Sequence, residues 1–148
     1  MALNVGDAAP DFELADDAGQ RYSLAAQRGK RQLLVFYPGD DTPVCTAQLC
    51  DYRDGVEEFE GLGIEVVGIS SDDAASHKRF RAKHDLPFRL LVDADGAVAK
   101  RYGAHGMMGT RRAVFLVDEQ GKLAYAKVES MSVFRRTREE LIGAFQRQ

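Results

Sequence analysis

Tryptophan is absent from this 148-residue sequence, and cysteine occurs only twice. Two cysteines are too few for a four-ligand structural zinc site or for the disulfide framework of a small secreted scaffold. Histidine is scarce as well: His77 and His84 lie seven residues apart, about 10.5 Å along a helix, too far to share a metal ion. The third, His105, falls in a glycine-rich stretch and reads as a solvent-exposed loop residue that at most borders a site. No apolar run approaches the roughly 20 residues a membrane-spanning helix needs. No basic cluster stands out and the net charge is −3, which argues against nucleic acid as a partner. No Gly-x-Gly-x-x-Gly follows a strand, so a nicotinamide or flavin dinucleotide is not expected, and neither is any other cofactor or metal. Residues 1–7 have neither the charged nor the apolar segment of a signal peptide, which makes the cytoplasm the expected compartment. There, two cysteines read as a redox or catalytic pair and not as a staple.

The hydrophobic content, 45%, is enough for one globular domain over residues 1–148, and no repeat or linker divides the chain. Short strands are expected at Phe12–Leu14 and near Tyr22, with a turn at Asp17-Ala18-Gly19-Gln20 between them. Leu33–Tyr37 and Ile64–Ser70 are continuous runs of β-forming residues, the pattern of strands buried on both faces. A helix is expected from Pro43 to about Glu60, with its apolar stripe at Cys45, Leu49, Tyr52, Val56 and Phe59. A second helix, capped by Ser71 or Asp72, should run to about His84 and stop before Pro87. Phe88–Val92 reads as a strand, Ala97–Tyr102 as a short helix and 103–109 as a loop. Ala113–Val117 and Lys122–Val128 flank Asp118-Glu119-Gln120-Gly121 as an antiparallel hairpin. Thr137-Arg138-Glu139-Glu140 is a capping box opening a last helix. This order predicts an α/β domain with a central mixed β-sheet flanked by helices and an N-terminal β extension.

Both cysteines fall in one run, Tyr37-Pro38-Gly39-Asp40-Asp41-Thr42-Pro43-Val44-Cys45-Thr46-Ala47-Gln48-Leu49-Cys50. Threonine followed by proline is a helix start, so Cys45 belongs to a first turn. Free backbone N–H groups and the positive end of the helix dipole favour a thiolate there. With one lone pair spent on the cap, the Thr42 hydroxyl keeps its proton free. Cys50 sits five residues further along the helix.

Pro38-x-x-x-Thr42-x-x-Cys45 resembles the active-site signature of the peroxiredoxins. The partner at Cys50 resembles the subfamily known as PrxQ or bacterioferritin-comigratory protein. The likeness extends from Gly6-Asp7-Ala8-Ala9-Pro10-Asp11-Phe12, through Leu34–Pro38 and Val66–Ser70, to Arg112-Ala113-Val114-Phe115-Leu116-Val117-Asp118. The resemblance implies a thioredoxin-like fold in a monomer. It also implies a peroxidase acting on hydrogen peroxide and organic hydroperoxides, with Cys45 as the peroxidatic thiolate and Cys50 as the resolving thiol. Arg112 would stabilise the thiolate and orient the peroxide, with Arg111 on the opposite face of an extended segment. Thr42 would bond the peroxide or the sulfur, and Pro38 would form a rigid wall that keeps water away. Thioredoxin or a similar dithiol is the implied reductant. Gln48, where many relatives carry glutamate, is open between the active-site network and the helix surface. Arg53 is assigned a structural contact, and Met107 and Met108 either an apolar lid over the cysteine or ordinary loop packing.

Helix geometry adds a demand. Residues five apart differ by about 140° around the axis, with Cα atoms roughly 8–9 Å apart, whereas a disulfide needs them within about 7 Å. A Cys45–Cys50 disulfide therefore requires the helix to unwind over about Thr42–Arg53. Rival readings are a thioredoxin-like disulfide reductase, disfavoured because the spacing is not Cys-x-x-Cys, and a non-enzymatic holdase on the same fold. A cysteine hydrolase is weaker still, since no histidine has evident access to Cys45.

Overall fold

The computed structural model describes residues 3–107, 109–129 and 135–146. Its centre is a five-stranded mixed sheet in the spatial order β5 (Leu90–Val92), β4 (Ile64–Ser70), β3 (Arg31–Phe36), β8 (Ala113–Val117) and β9 (Leu123–Val128). β3, β4 and β5 run parallel, and β8 and β9 are antiparallel additions. The N-terminal extension is a hairpin of β1 (Glu13–Ala15) and β2 (Arg21–Ser23), tied to the β5 edge through an Asp16–Leu91 bridge.

Alternation along the strands builds two cores, one on each face of the sheet. Leu33, Val35, Val66, Val114 and Leu116 point to one face, which is covered by α1 (Pro43–Asp54), α2 (Val56–Gly61), α3 (Ala74–His84) and α5 (Arg138–Gln146). Leu34, Phe36, Val67, Ile69 and Phe115 point to the other, covered by α4 (Ala97–Arg101) and the N-terminal segment. Strands buried on both faces read in the sequence as unbroken apolar runs, and β3, β4 and β8 lie close to their expected positions.

The helix expected from Pro43 to Glu60 is interrupted at Gly55. The stripe still enters the core, with Cys45, Leu49, Tyr52 and Phe59 buried. Arg138 from α5 crosses the break, where a Cβ on residue 55 would lie 2.7 Å from Arg138 Cδ. α3 is capped by Asp73, whose carboxylate accepts from Ser76 N at 2.8 Å, and not by Ser71 or Asp72. β5 pairs only over Leu90–Val92 with Gly68–Ser70 of β4, shorter than expected at its start. The expected loop at 103–109 holds a small hairpin, β6 (His105–Gly106) with β7 (Gly109–Thr110). The capping box forms as expected: Glu140 N donates to Thr137 Oγ1, and Thr137 N donates to Glu140 Oε1.

Gly68 lies inside β4 on the face of α1, where an added Cβ would come within 2.7 Å of Leu90 Cδ2 and 3.2 Å of Tyr37 Cε1. Gly68→Ala is therefore expected to lower the unfolding free energy by about 1–3 kcal/mol through overpacking. Urea titration followed by circular dichroism checks this.

Candidate active site

β3 delivers the chain to Pro38, a polar turn follows, and Pro43 opens α1 with Thr42 in extended conformation before it (φ −84°, ψ 148°). Cys45 in the first turn faces the sheet and is fully buried. Arg112 precedes β8 and has the same parity as Val114 and Leu116, so its side chain enters the face beneath α1, where it is 3% exposed. Its Nη2 donates to Cys45 Sγ at 3.2 Å and its Nη1 to Gln48 Oε1 at 2.8 Å. Arg111, of opposite parity, donates to the Glu129 carbonyl at 2.9 Å and has no part in the Cys45 contact.

A guanidinium donating to sulfur is a bond that strengthens as the sulfur becomes a thiolate. Gln48 extends the arrangement: it is fully buried, and its Nε2 donates to Tyr52 Oη at 3.0 Å while Tyr52 donates to the Arg136 carbonyl. The network reading of Gln48 is therefore the one realised. Its signal in the sequence was its place one residue from the buried stripe.

Thr42 differs from expectation. Its hydroxyl makes no cap bond but donates its proton to the Gly39 carbonyl at 3.0 Å. What remains free is the oxygen, an acceptor suited to the O–H of a hydroperoxide. Pro38 is half-buried at the start of the turn, with no N–H to offer. Cys50 is half-buried on another side of α1, and both thiols are free. It borders a groove of about 610 Å³ with Thr46, Arg53, Asp41, Lys83 and His84, and Cys45 does not line that groove. Arg53 makes its structural contact with α3, through Nη1 to the His84 carbonyl at 2.8 Å. His105 is half-buried, against the expectation of an exposed residue: its ring lies over Gly96 and lines a cavity on the far side of the sheet with Arg111 and Phe115. Met107 is fully exposed and forms no lid, and Met108 lies outside the described residues.

Sequence reading missed His77. It is fully buried on α3, with Nδ1 2.8 Å from Asp40 Oδ2 in the turn before Cys45 and Nε2 2.9 Å from the Leu91 carbonyl. Both partners are acceptors, so the ring that satisfies them is the imidazolium. Burial opposes this charge, but the bond and charge of Asp40 outweigh it and raise the His77 pKa. For Asp40, burial is likewise outweighed by the bonds from His77 and Tyr37, and its pKa is lowered. Asp40, Asp72 and His77 are also the one cluster of metal-ligating types among the described residues. With both ring nitrogens donating, His77 has no lone pair for a metal.

The AhpC/TSA family profile matches residues 5–126, and the chain belongs to that family. It is 45% identical over 126 residues to a protein of Oryza sativa subsp. indica named putative peroxiredoxin Q, chloroplastic, covering 83% of this chain. The chain spans 58% of the length of that plant relative. It is 39% identical over 131 residues to peroxiredoxin Bcp of Bacillus subtilis, covering 83% of each. The fold superposes on peroxidoxin BcpB of Mycobacterium tuberculosis with a TM-score of 0.86 at 29% identity, covering 97% of this chain and 95% of that one. Peroxiredoxin Q of Xanthomonas campestris gives 0.83 at 26% identity, with 92% and 90% covered. The thioredoxin-like fold expected from the sequence is thereby established. Among the described residues no helix is long and apolar enough to cross a membrane.

The Asp40–His77 pair makes stability depend on pH in a definite sense. A raised His77 pKa contributes stability present in full below the ordinary 6.5 and lost as pH rises through the folded value. A lowered Asp40 pKa contributes stability present above 3.8 and lost as pH falls through its folded value. The difference in urea stability between wild type and Asp40→Asn should therefore be larger at about pH 6 than at about pH 9. An unchanged difference would contradict the ion pair.

Proposed function

We propose that this chain is a thiol-dependent peroxidase in which Cys45 is the peroxidatic and Cys50 the resolving cysteine. The observation that carries the reading is the Arg112 Nη2 donor 3.2 Å from a buried Cys45 Sγ at a helix start. The thiolate attacks the near oxygen of a hydroperoxide, the O–O bond breaks, and the far oxygen leaves as hydroxide or alkoxide to be protonated to water or alcohol. Arg112 holds its charge beside both the sulfur and the oxygens in flight, where charge is being redistributed. The Thr42 oxygen accepts the peroxide O–H, and Pro38 walls the turn without offering a competing donor.

Cys45 is left as a sulfenic acid, and the Cys50 thiol condenses with it, forming S–S and releasing water. A dithiol of the thioredoxin kind then takes the disulfide back to two thiols. Electrons enter from the reductant dithiol and leave to the peroxide O–O bond, carried throughout by sulfur, so the cycle calls for no metal or organic cofactor. The resolving thiol is in the same chain, which suits action as a monomer. The need for a dithiol reductant suits a reducing compartment such as the cytoplasm. The rice relative is named chloroplastic, so relatives do not share one compartment.

The test is the intact mass of reduced protein after one equivalent of hydrogen peroxide, beside Cys50→Ser. Loss of two hydrogens in the wild type and gain of one oxygen in the variant is the expected pair of results. Unchanged masses would sink the reading, and reduction of insulin disulfides without peroxide would favour the disulfide reductase. Arg112→Gln is expected to lower kcat/KM for hydrogen peroxide by about two to three orders of magnitude. Amide exchange over 42–53 should become faster in the oxidised protein than in the reduced one, because α1 cannot stay wound around the disulfide.

A further inference from the structure

The turn that presents Cys45 is held from outside by α3, and the hold is concentrated on one residue. Asp40 makes four hydrogen bonds. Its N–H donates to Asp72 Oδ2 at 2.8 Å, and Tyr37 Oη donates to its Oδ1 at 2.6 Å. Ser76 Oγ and His77 Nδ1 both reach its Oδ2 at 2.8 Å. All four partners lie directly after β3, on α3 or on the segment between β4 and α3, none of which has to move when α1 unwinds.

The next residue stores the opposite tendency. Asp41 is left-handed (φ 59°), a conformation that costs a residue with a Cβ. Its carboxylate reaches Lys83 Nζ at 3.2 Å and lies 3.8 Å from His84 Nε2, both at the exposed end of α3. A strained residue thus sits between the buried anchor at Asp40 and the helix start at Thr42. Release of the anchor lets Asp41 relax and frees the first turn of α1.

We infer that His77, acting through Asp40, is a positioning residue that holds the turn before Cys45 in its peroxide-reactive form and so sets how the Cys45 sulfenic acid divides between two fates. In one fate the turn lets go, α1 unwinds and Cys50 closes the disulfide with loss of water. In the other the turn stays, and a second hydroperoxide transfers an oxygen to the sulfur, giving the sulfinic acid and a molecule of water or alcohol. A firmer anchor favours the first oxidation of Cys45 and delays closure. The inference rests on the peroxidase reading above.

The groups facing the His77 ring are Asp40 from the turn, Asp72 from the β4–α3 segment, Tyr37 just after β3 and the Leu91 carbonyl from β5. Only the imidazolium can donate to Asp40 and to Leu91 together. Raising the pH through its deprotonation should therefore loosen the turn in the wild type and not in a variant without the imidazole.

The experiment compares wild type, His77→Gln and Leu123→Ala, a destabilised control in the opposite core, at excess hydrogen peroxide. Mass spectrometry reads the ratio of disulfide to sulfinic acid, and stopped flow reads the rate of sulfenic acid formation. His77→Gln is expected to raise the ratio by about threefold to tenfold while slowing sulfenic acid formation, a pair of opposite effects that general destabilisation does not produce. Leu123→Ala should leave the ratio unchanged. With rising pH the wild-type ratio should converge on that of His77→Gln. An unchanged ratio in His77→Gln, with wild type still forming disulfide, overturns the inference alone. Wild type that forms neither product overturns the peroxidase reading instead. Should His77→Gln fail to fold, Ser76→Ala removes one of the four bonds to Asp40 and must shift the ratio the same way by a smaller factor; no shift overturns the inference.

Discussion

Bringing a buried guanidinium to a buried thiol is costly unless each side chain has somewhere to place its remaining polarity, and this constraint shapes the centre of the molecule. Arg112 gives one nitrogen to Cys45 and another to Gln48, Gln48 passes a bond to Tyr52, and Tyr52 ends on the Arg136 carbonyl. The chain of bonds runs along the inner face of α1 and ties the first turn of that helix to its last. Desolvation then works in favour of the contact, because a charge-assisted bond in a dry site is worth more than the same bond in water. Strand parity decides which arginine is used: a shift of one residue in β8 would bring Arg111 inward and turn Arg112 to the opposite face.

In the proposed cycle the same helix must be rigid for one step and pliable for the next. While α1 is wound, Cys45 faces the sheet and Cys50 borders an open groove with α3. No rotamer change brings two sulfurs together across about 140° of helix. The second half of α1 is fastened more heavily than the first: Asp51 accepts from Arg138 N at 2.9 Å and pairs with Arg138 and Arg135, and Tyr52 is bonded to the C-terminal segment. The break at Gly55 keeps those fastenings local, since α2 does not have to turn when α1 does. Unwinding therefore begins most readily at the Thr42 end, where Thr42 makes no side-chain cap bond and the backbone is strained at Asp41.

How much of this was legible in the sequence follows from how local each signal is. β3, β4 and β8 were readable because a strand buried on both faces writes itself as consecutive apolar residues. The parity of Arg111 and Arg112 was readable because a strand has period two. Thr42-Pro43 announced a helix start, yet the hydroxyl turned to Gly39, a choice between nearby acceptors that no spacing encodes. At the interruption Gly55 is approached by Arg138, 83 positions away, and one glycine in a helical pattern does not report what packs against it. The His105–Thr110 hairpin was hidden by glycines that fit a loop equally well.

Asp40 and His77 were the least legible, being 37 residues apart and reading as a turn aspartate and an ordinary helix histidine. Read alone, His77 shares a helical face with Phe80, three positions on, and belongs to the buried side of α3 for that reason. What the sequence could not disclose is that the core at that point is not apolar. A buried ion pair is weak evidence for stability, since hydrophobic side chains of similar size often serve at least as well. Its distinctive property is directional, because three bonds converging on one carboxylate define a single geometry where apolar packing tolerates several. A turn that presents a thiol within bonding distance of Arg112 and, in the proposed cycle, later surrenders it is a place where a defined and breakable geometry has more value than added stability. That argument accounts for a charge pair at the junction of β3, α1 and α3, where the sheet would otherwise continue as aliphatic core.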